Sequence, residues 1–255
     1  MRPIVIALLC ASCASAAVYA GVAAAKEGNE CIVAAGSVAP DFGMPHVARA
    51  IAKKKLDIAV IGSASSELTG PAGTNIAYPT WLEETLRSLL PGVTVKVTTY
   101  ARPRETASEM EAKLARIISE SKPALVVWQT GTADAIRGVD PEDFRVALDD
   151  GVDKLRASDA DVVFMNMQYS PRTEAMLAVT AYADAMRIVA LKREAVLFDR
   201  FTIMRRWNES GVFDLYGATR TTNIAERVHD CLGRLLADVV VAGAKLAPVV
   251  SRGTE

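Results

Sequence analysis

Five apolar runs recur along the chain and alternate with segments of helical periodicity. The runs are residues 56–62, 93–100, 123–131, 160–168 and 195–200. Between them, apolar residues return at spacings of three and four, as in YPTWLEETLRSLL and PEDFRVALDDGVDKLRAS, which is typical of amphipathic helices. Strands this apolar are usually buried on both faces, and strands separated by helices usually pair in parallel. The pattern therefore predicts a single α/β domain with a doubly wound, five-stranded parallel sheet.

The two ends of the chain lack this alternation. Residues 1–25 combine a positive charge at Arg2, an apolar stretch and small residues, as in a signal peptide that is removed on export to the periplasm or the medium. A retained N-terminal membrane anchor is the alternative, because the uncharged stretch is about as long as a membrane span. Its Ala, Ser, Cys and Gly content makes this stretch only weakly hydrophobic, which favours the signal peptide. We expect a lead-in at 26–54, the domain at 55–245 and a C-terminal tail at 246–255.

Export would determine the role of the four cysteines. Cys10 and Cys13 leave with the signal peptide, whereas Cys31 and Cys231 stay in the mature chain. Two thiols in an oxidising compartment predict a disulfide between the lead-in and the last helix. Two buried free thiols are the alternative.

Charge and motif content exclude several classes of function. The chain has 29 basic and 30 acidic residues, so its bulk charge favours neither a nucleic acid nor, after signal removal, a membrane surface as partner. It carries no Walker-type glycine loop, no dinucleotide fingerprint and no run of residues with metal-ligand spacing. We therefore expect no cofactor and no metal.

The turn after the first apolar run carries the most informative chemistry. IGSASSELTG leaves a strand through small residues and leads toward a helix, where α/β hydrolytic enzymes often carry a nucleophilic serine. In doubly wound sheets, ligands bind at the carboxyl ends of the strands. The residues that follow the runs are Ser63–Ser66, Tyr100–Arg104, Thr132–Asp134, Gln168–Pro171 and the loop before the final helix.

Seven segments resemble, in order and spacing, the SGNH/GDSL hydrolase superfamily, and in particular its exported bacterial esterase-like branch. They are IAVIGSASS, YPTWLEETLR, RPRETA, LVVWQTGTADA, DVVFMNMQYSP, LFDRFTIMRRW and HDCLGRLLADVV, and they span about residues 55–242. The resemblance implies a three-layer, flavodoxin-like domain that hydrolyses acyl or acetyl esters on lipids or carbohydrates without a metal. It also implies a serine nucleophile, a histidine base with an orienting aspartate, and an oxyanion site that includes a glycine and an asparagine.

Carried onto this sequence, the catalytic positions of the family fall on residues that lack its chemistry. The nucleophile falls on Ala64, the oxyanion glycine on Ala101 and the oxyanion asparagine on Ala133. The histidine falls on Asn223, and Arg220 stands where the orienting aspartate is expected. The resemblance therefore implies a hydrolase fold with substituted catalytic positions.

A second alignment of the last segment with the family would give the protein a complete set of catalytic residues. It pairs Glu226 with His229 as an acid and a base, and Ser63 or Ser65 then acts as a displaced nucleophile. We favour the first alignment because His229 lies inside the helical pattern, where its family counterpart would be an aromatic packing residue. The two serines are then expected to cap the following helix or to bind turn amides.

We therefore expect an exported, catalytically inactive protein that binds an envelope glycan, an acylated ligand or a protein partner. The alternatives are an active GDSL-type esterase or acyl/acetyl-carbohydrate hydrolase with relocated catalytic residues, and a purely structural envelope component. Arginines beside an aromatic ring suit a carbohydrate or an anionic headgroup. The residues expected to contact a ligand are Tyr100, Arg102, Arg104, Asp134, Gln168, Tyr169 and Asn223.

Overall fold

The computed structural model describes residues 31–34, 38–68, 73–216 and 222–246. The chain divides into two units, Met1–Glu30 and Cys31–Glu255, and every described residue belongs to the second. The predicted signal peptide and the tail beyond residue 246 lie outside the described residues. None of the helices in the described part combines the length and apolar character that a membrane span requires.

The five apolar runs form one parallel sheet. The strands are β1 (Lys55–Gly62), β2 (Thr94–Ala101), β3 (Leu125–Gln129), β4 (Asp161–Met165) and β5 (Val196–Phe198). Their order across the sheet is β2-β1-β3-β4-β5, and each neighbouring pair is parallel. This is the flavodoxin-like order, in which the ligand crevice lies where the strand order reverses, between β1 and β3. The predicted α/β fold with a five-stranded parallel sheet is confirmed.

One helix precedes β1 in the described part of the chain, and helices follow every strand. They are α1 (Pro45–Ala52), α2 (Gly73–Ile76), α3 (Tyr78–Leu89), α4 (Ala107–Glu111), α5 (Leu114–Ser121), α6 (Thr132–Arg137), α7 (Pro141–Arg156), α8 (Pro171–Met176), α9 (Val179–Lys192), α10 (Arg200–Glu209) and α11 (Thr222–Lys245). The segment between β2 and β3 forms two helices, α4 and α5. A capping box starts α4, because Thr106 accepts from the Glu109 amide and the Glu109 carboxylate accepts from the Thr106 amide.

Alternating strand residues build a hydrophobic core on each face of the sheet. In β1, Ile58 and Val60 pack with side chains of α3, α10 and α11. Ala59 and Ile61 point the other way and pack with side chains of α4, α5, α7 and α9. The domain therefore has three layers, and β1 is buried on both faces.

The lead-in is fastened to the last helix. The structure contains the predicted disulfide, which joins Cys31 to Cys231 in α11. Further along the lead-in, the Met44 amide donates to the Gly243 carbonyl of α11 at 2.9 Å, and a Cβ at Gly243 would lie 2.6 Å from Cε of Met44. The lead-in therefore packs against the last helix of the domain.

Helices α3 and α11 approach closely at Gly233. A Cβ at this position would lie 2.8 Å from the Tyr78 carbonyl oxygen and 2.5 Å from Cβ of Trp81. A larger residue would push the helices apart. The glycine therefore allows His229, one turn earlier in α11, to reach the start of α3 at Tyr78.

Candidate functional site

The chain turns sharply where β1 ends, at the carboxyl edge of the sheet. Gly62 ends the strand, and residues Ala64–Ser66 form a short 3-10 turn. A Cβ at Gly62 would lie 2.0 Å from Oγ of Ser66, so the glycine allows the turn to fold back over the strand end. Ser63 precedes the turn, but its side chain makes no capping hydrogen bond. Of the two roles expected for Ser63, capping of the following helix is therefore wrong.

The serines of the turn share a single acceptor, the side-chain oxygen of Gln129. This residue ends β3, next to β1, and is 1% exposed. Its Oε1 lies 3.1 Å from the Ser63 amide nitrogen, 3.1 Å from Oγ of Ser65 and 3.1 Å from Oγ of Ser66. Oγ of Ser63 is slightly farther away, at 3.4 Å. An amide oxygen accepts hydrogen bonds but does not act as a general base near neutral pH, so it orders these hydroxyls without activating them.

Ser65 is held from a second side as well. Nη1 of Arg200 donates to Oγ of Ser65 at 3.0 Å. The hydroxyl thus donates to Gln129 and accepts from a guanidinium. A nucleophilic serine needs a base that accepts its proton, and in the described residues neither hydrogen-bond partner of Ser65 is one.

Arg200 is an unusual buried cation. It follows β5, begins α10 and is 1% exposed. Burial lowers the pKa of its guanidinium to about 10, so the group remains charged at neutral pH. Its Nε and Nη2 atoms are buried and have no hydrogen-bond partner among the described residues. The arginine therefore brings a positive charge, only partly hydrogen-bonded, beneath the turn that follows β1.

A second buried chain of contacts runs from the turn to α11. Oγ of Ser66 and the hydroxyl of Tyr78 are 2.9 Å apart, and the Tyr78 amide donates to Nδ1 of His229 at 3.1 Å. The Tyr78 and His229 rings stack with centroids 6.0 Å apart. Burial raises the pKa of Tyr78 to about 12. Burial, with a smaller contribution from the Arg200 charge, lowers the pKa of His229 to about 3, so both side chains are neutral at pH 7.

We expect Ser66→Ala to lower the free energy of unfolding by about 1–2 kcal/mol, because it leaves the buried Tyr78 hydroxyl without its serine partner. Tyr78→Phe removes the other half of the pair and is the matched control. The double variant should cost less than the sum of the single variants, as for residues in direct contact. Urea unfolding of the four proteins measures this, and additive losses would contradict a coupled Ser66–Tyr78 pair.

The positions carried over from the family lie on the turn after β1, at the end of β2, in α6 and at the start of α11. Ala64 is exposed on the turn, Ala101 is half-buried at the end of β2, and Ala133 is buried in α6. Asn223 is exposed at the start of α11, and Arg220 lies outside the described residues. These assignments to catalytic positions stay predictions.

The alternative acid–base pair is not assembled. Glu226 is exposed on α11, whereas His229 is 4% exposed and faces Tyr78. No hydrogen bond or ion pair joins Glu226 to His229 within the described residues, and no serine there bonds to the imidazole. A base at His229 would need a different side-chain arrangement.

The residues expected to contact a ligand divide into an exposed and a buried group. Arg102, Arg104, Gln168 and Asn223 are exposed and Tyr100 is half-buried, whereas Asp134 and Tyr169 are buried. The Asp134 carboxylate accepts from the Ala107 amide at 2.9 Å and from the Gly131 amide at 3.3 Å. Tyr169 packs edge-on against Phe201, with centroids 5.3 Å apart. The ligand roles of both groups stay predictions.

Sequence reasoning placed Ser66 in the turn after β1 but did not single out its buried neighbours. These are Tyr78, Gln129 and Arg200. Gln129 and Arg200 could have been identified from the sequence, because each is a polar residue at the carboxyl end of an apolar run. Among the described residues, no cluster of three or more His, Cys, Asp or Glu side chains is placed to hold a metal ion.

Several solved structures share this fold at low sequence identity. TesA aligns over 71% of this chain and 98% of its own, with 22% identity and a TM-score of 0.57. The α/β hydrolase LAE5, from the metagenome of Lake Arreo, aligns over 74% and 95%, with 18% identity and a TM-score of 0.59. Axe2, an acetylxylan esterase from Geobacillus stearothermophilus, aligns over 73% and 93%, with 16% identity and a TM-score of 0.57. No sequence among the curated proteins is significantly similar to the chain.

The sequence also matches a family model over most of its length. The model is that of the Non-GDSL lipase-like family, and the match covers residues 30–246. It thus includes the turn after β1, the buried arginine and the whole of α11. The SGNH/GDSL-type resemblance is confirmed, and the chain belongs to the Non-GDSL lipase-like family.

Proposed function

We propose that this protein is an exported pseudoenzyme of its family, which binds a ligand or partner of the cell envelope and does not hydrolyse esters. One observation carries the proposal. The hydroxyl of Ser65 donates to Gln129 and accepts from Arg200, so both of its contacts are occupied by groups that do not take its proton. Covalent catalysis by serine requires an adjacent base or a strongly lowered pKa.

The state of the only buried histidine in the described residues supports the same conclusion. His229 is neutral at pH 7, and its Nδ1 already accepts the Tyr78 amide proton. A base in this position would have to become protonated during the reaction, which its burial and the Arg200 charge oppose. The protein therefore has a hydrolase fold with a histidine suited to packing.

The proposals of export and of an envelope ligand are supported by separate features. The Cys31–Cys231 disulfide fits an oxidising compartment, and the N-terminal 25 residues have the composition of a signal peptide. The exposed arginines, Arg102 and Arg104, lie near Tyr100 in sequence at the carboxyl end of β2. Such a rim suits a carbohydrate or another ligand with anionic groups.

The competing function is an active ester hydrolase that uses relocated residues. It is favoured by the fold, because similar structures include an acetylxylan esterase. A fold hosts many functions, however, and the chemistry depends on the groups at the site. The hydrolase would need Ser65 to leave Arg200 or Gln129 and meet a base, and the described residues hold no such base beside it.

We expect wild-type protein to hydrolyse p-nitrophenyl acetate no faster than the Ser63→Ala, Ser65→Ala double variant. A single Ala64→Ser reversion should also fail, since a serine without a base stays a neutral hydroxyl at pH 7. Ala64→Ser with Ala133→Asn and Asn223→His restores three groups and should give only a small gain, because catalytic groups act as a unit and the orienting carboxylate is still missing. Initial rates of purified proteins measure this. Wild-type turnover that disappears in His229→Ala would show that relocated residues catalyse hydrolysis.

A further inference from the structure

We propose that Arg200 anchors a binding site for a single carboxylate group, and that this group belongs to the ligand that binds at the turn after β1. This inference rests on the proposed function, because it names the chemistry that this non-catalytic site recognises. Its geometric basis is the guanidinium itself. Nη1 is engaged by Ser65, whereas Nε and Nη2 have no partner among the described residues.

The two unpartnered nitrogens lie on the same edge of the guanidinium. On this edge the Nε–H and one Nη2–H point in parallel, which matches the two oxygens of a carboxylate in a bidentate pair. The Ser65 contact occupies the opposite side of the group and fixes its orientation. The fork is therefore held in place before a ligand arrives, which reduces the entropy cost of binding.

The charge of Arg200 is not neutralised from within the described residues. Arginine stays protonated in proteins, and an unpaired buried charge is strongly destabilising. Arg200 forms no ion pair with a described carboxylate. Its neighbour in sequence, Asp199, is already used by the Thr202 amide at 3.0 Å and the Asn166 side chain at 2.7 Å. An anion at the free edge would supply the missing partner.

The single positive charge of Arg200, among neutral neighbours, favours a monoanion with two oxygens. Tyr78 and His229 interact electrostatically with Arg200, and both are neutral at pH 7. One guanidinium therefore supplies a single positive charge. A carboxylate neutralises this charge, whereas a phosphate dianion would leave a buried negative charge unpaired. A uronic acid, a lactyl or amino-acid carboxylate and a free organic acid all present this group.

Access to the fork needs a local rearrangement, because both nitrogens are closed to solvent. We therefore expect slow association, as is usual where binding requires a conformational change. A small carboxylate is the appropriate first probe.

The test is thermal unfolding of the mature protein with sodium acetate replacing sodium chloride at constant ionic strength. The expected result is a saturable rise in Tm, about 3–6 °C at an acetate concentration roughly ten times its Kd. Arg200→Met, of similar length and uncharged, should abolish the rise. Arg116→Met removes an exposed arginine of α5 and should keep it. No saturable rise in the wild type, or an equal rise in Arg200→Met, would overturn the proposal.

Two further experiments test which class of anion binds, and neither depends on the folding of a variant. Dimethyl phosphate and inorganic phosphate are titrated in the same way, and a rise with either of them but none with acetate would overturn the carboxylate assignment. Wild-type protein labelled with nitrogen-15 is also titrated with acetate while the arginine Nε–H resonances are recorded. One slowly exchanging resonance should shift, and a spectrum in which none shifts would count against the site. Ester turnover is measured in parallel, so that turnover overturns the proposed function and a missing acetate response overturns only the Arg200 site.

Discussion

Acidification from pH 7 to pH 4.5 is expected to lower the free energy of unfolding by about 2–3 kcal/mol through His229 alone. Burial holds the pKa of this imidazole at about 3 in the folded protein, whereas histidine in an unfolded chain titrates near 6.5. Below that value the unfolded state binds a proton that the folded state does not. The stability contributed by neutral His229 is therefore complete above the unfolded pKa and is lost as the pH falls toward the folded pKa.

His229→Asn is the variant that isolates this effect. The asparagine amide oxygen can accept the Tyr78 amide proton in place of Nδ1, and asparagine does not titrate. Urea unfolding at several pH values should give a stability difference between the two proteins that changes by about 1.4 kcal/mol per pH unit between pH 6 and pH 4. Burial raises the pKa of Asp134 and of Asp161, and these groups act in the opposite direction, but they are common to both proteins. Parallel pH profiles would contradict a neutral, buried His229.

Loss of the Cys31–Cys231 disulfide is expected to cost about 2–4 kcal/mol of stability. The bond joins residues 200 positions apart, so its removal frees nearly the whole domain in the unfolded state. It also releases the lead-in from α11 only two residues after His229. Urea unfolding of a Cys31→Ser, Cys231→Ser double variant measures the loss, with the reduced wild type as the matched control. Intact mass with and without reductant establishes the bond in the starting protein, and an unchanged unfolding midpoint would contradict a stabilising crosslink.

The fold was predictable because burial on both faces of a parallel sheet produces continuous apolar runs. The same reasoning predicted the ends of the strands less accurately. The last run was expected to extend to residue 200, but β5 ends at Phe198 and Asp199 begins the next helix by accepting from the Thr202 amide. Similarly, β3 ends at Gln129, before Gly131 with φ 101°. Local capping and turn geometry override apolar continuity at these ends.

The candidate site was predictable in place but not in composition. The strand-end argument located the turn after β1, because the loops that follow the strands of a doubly wound sheet lie together at its carboxyl edge. It could not reveal that Ser65 meets Arg200, 135 residues away, or that Tyr78 meets His229, 151 residues away. Periodicity identifies buried positions, whereas the pairing of buried polar groups depends on how distant helices pack. Gly233 shows this, since a single missing Cβ sets the approach of α11 to α3.

Covalent labelling of the mature protein with a fluorophosphonate, read out by intact mass, decides whether any serine of the site is activated. The reagent reacts with serines that a base has activated, so it reports the chemistry of the site without assuming a substrate. A serine esterase of established activity, labelled under the same conditions, is the positive control. We predict no adduct on the wild-type protein, because the Ser65 hydroxyl is held by Gln129 and Arg200. A stoichiometric adduct that is lost in Ser65→Ala or Ser63→Ala would contradict the account and identify a working nucleophile.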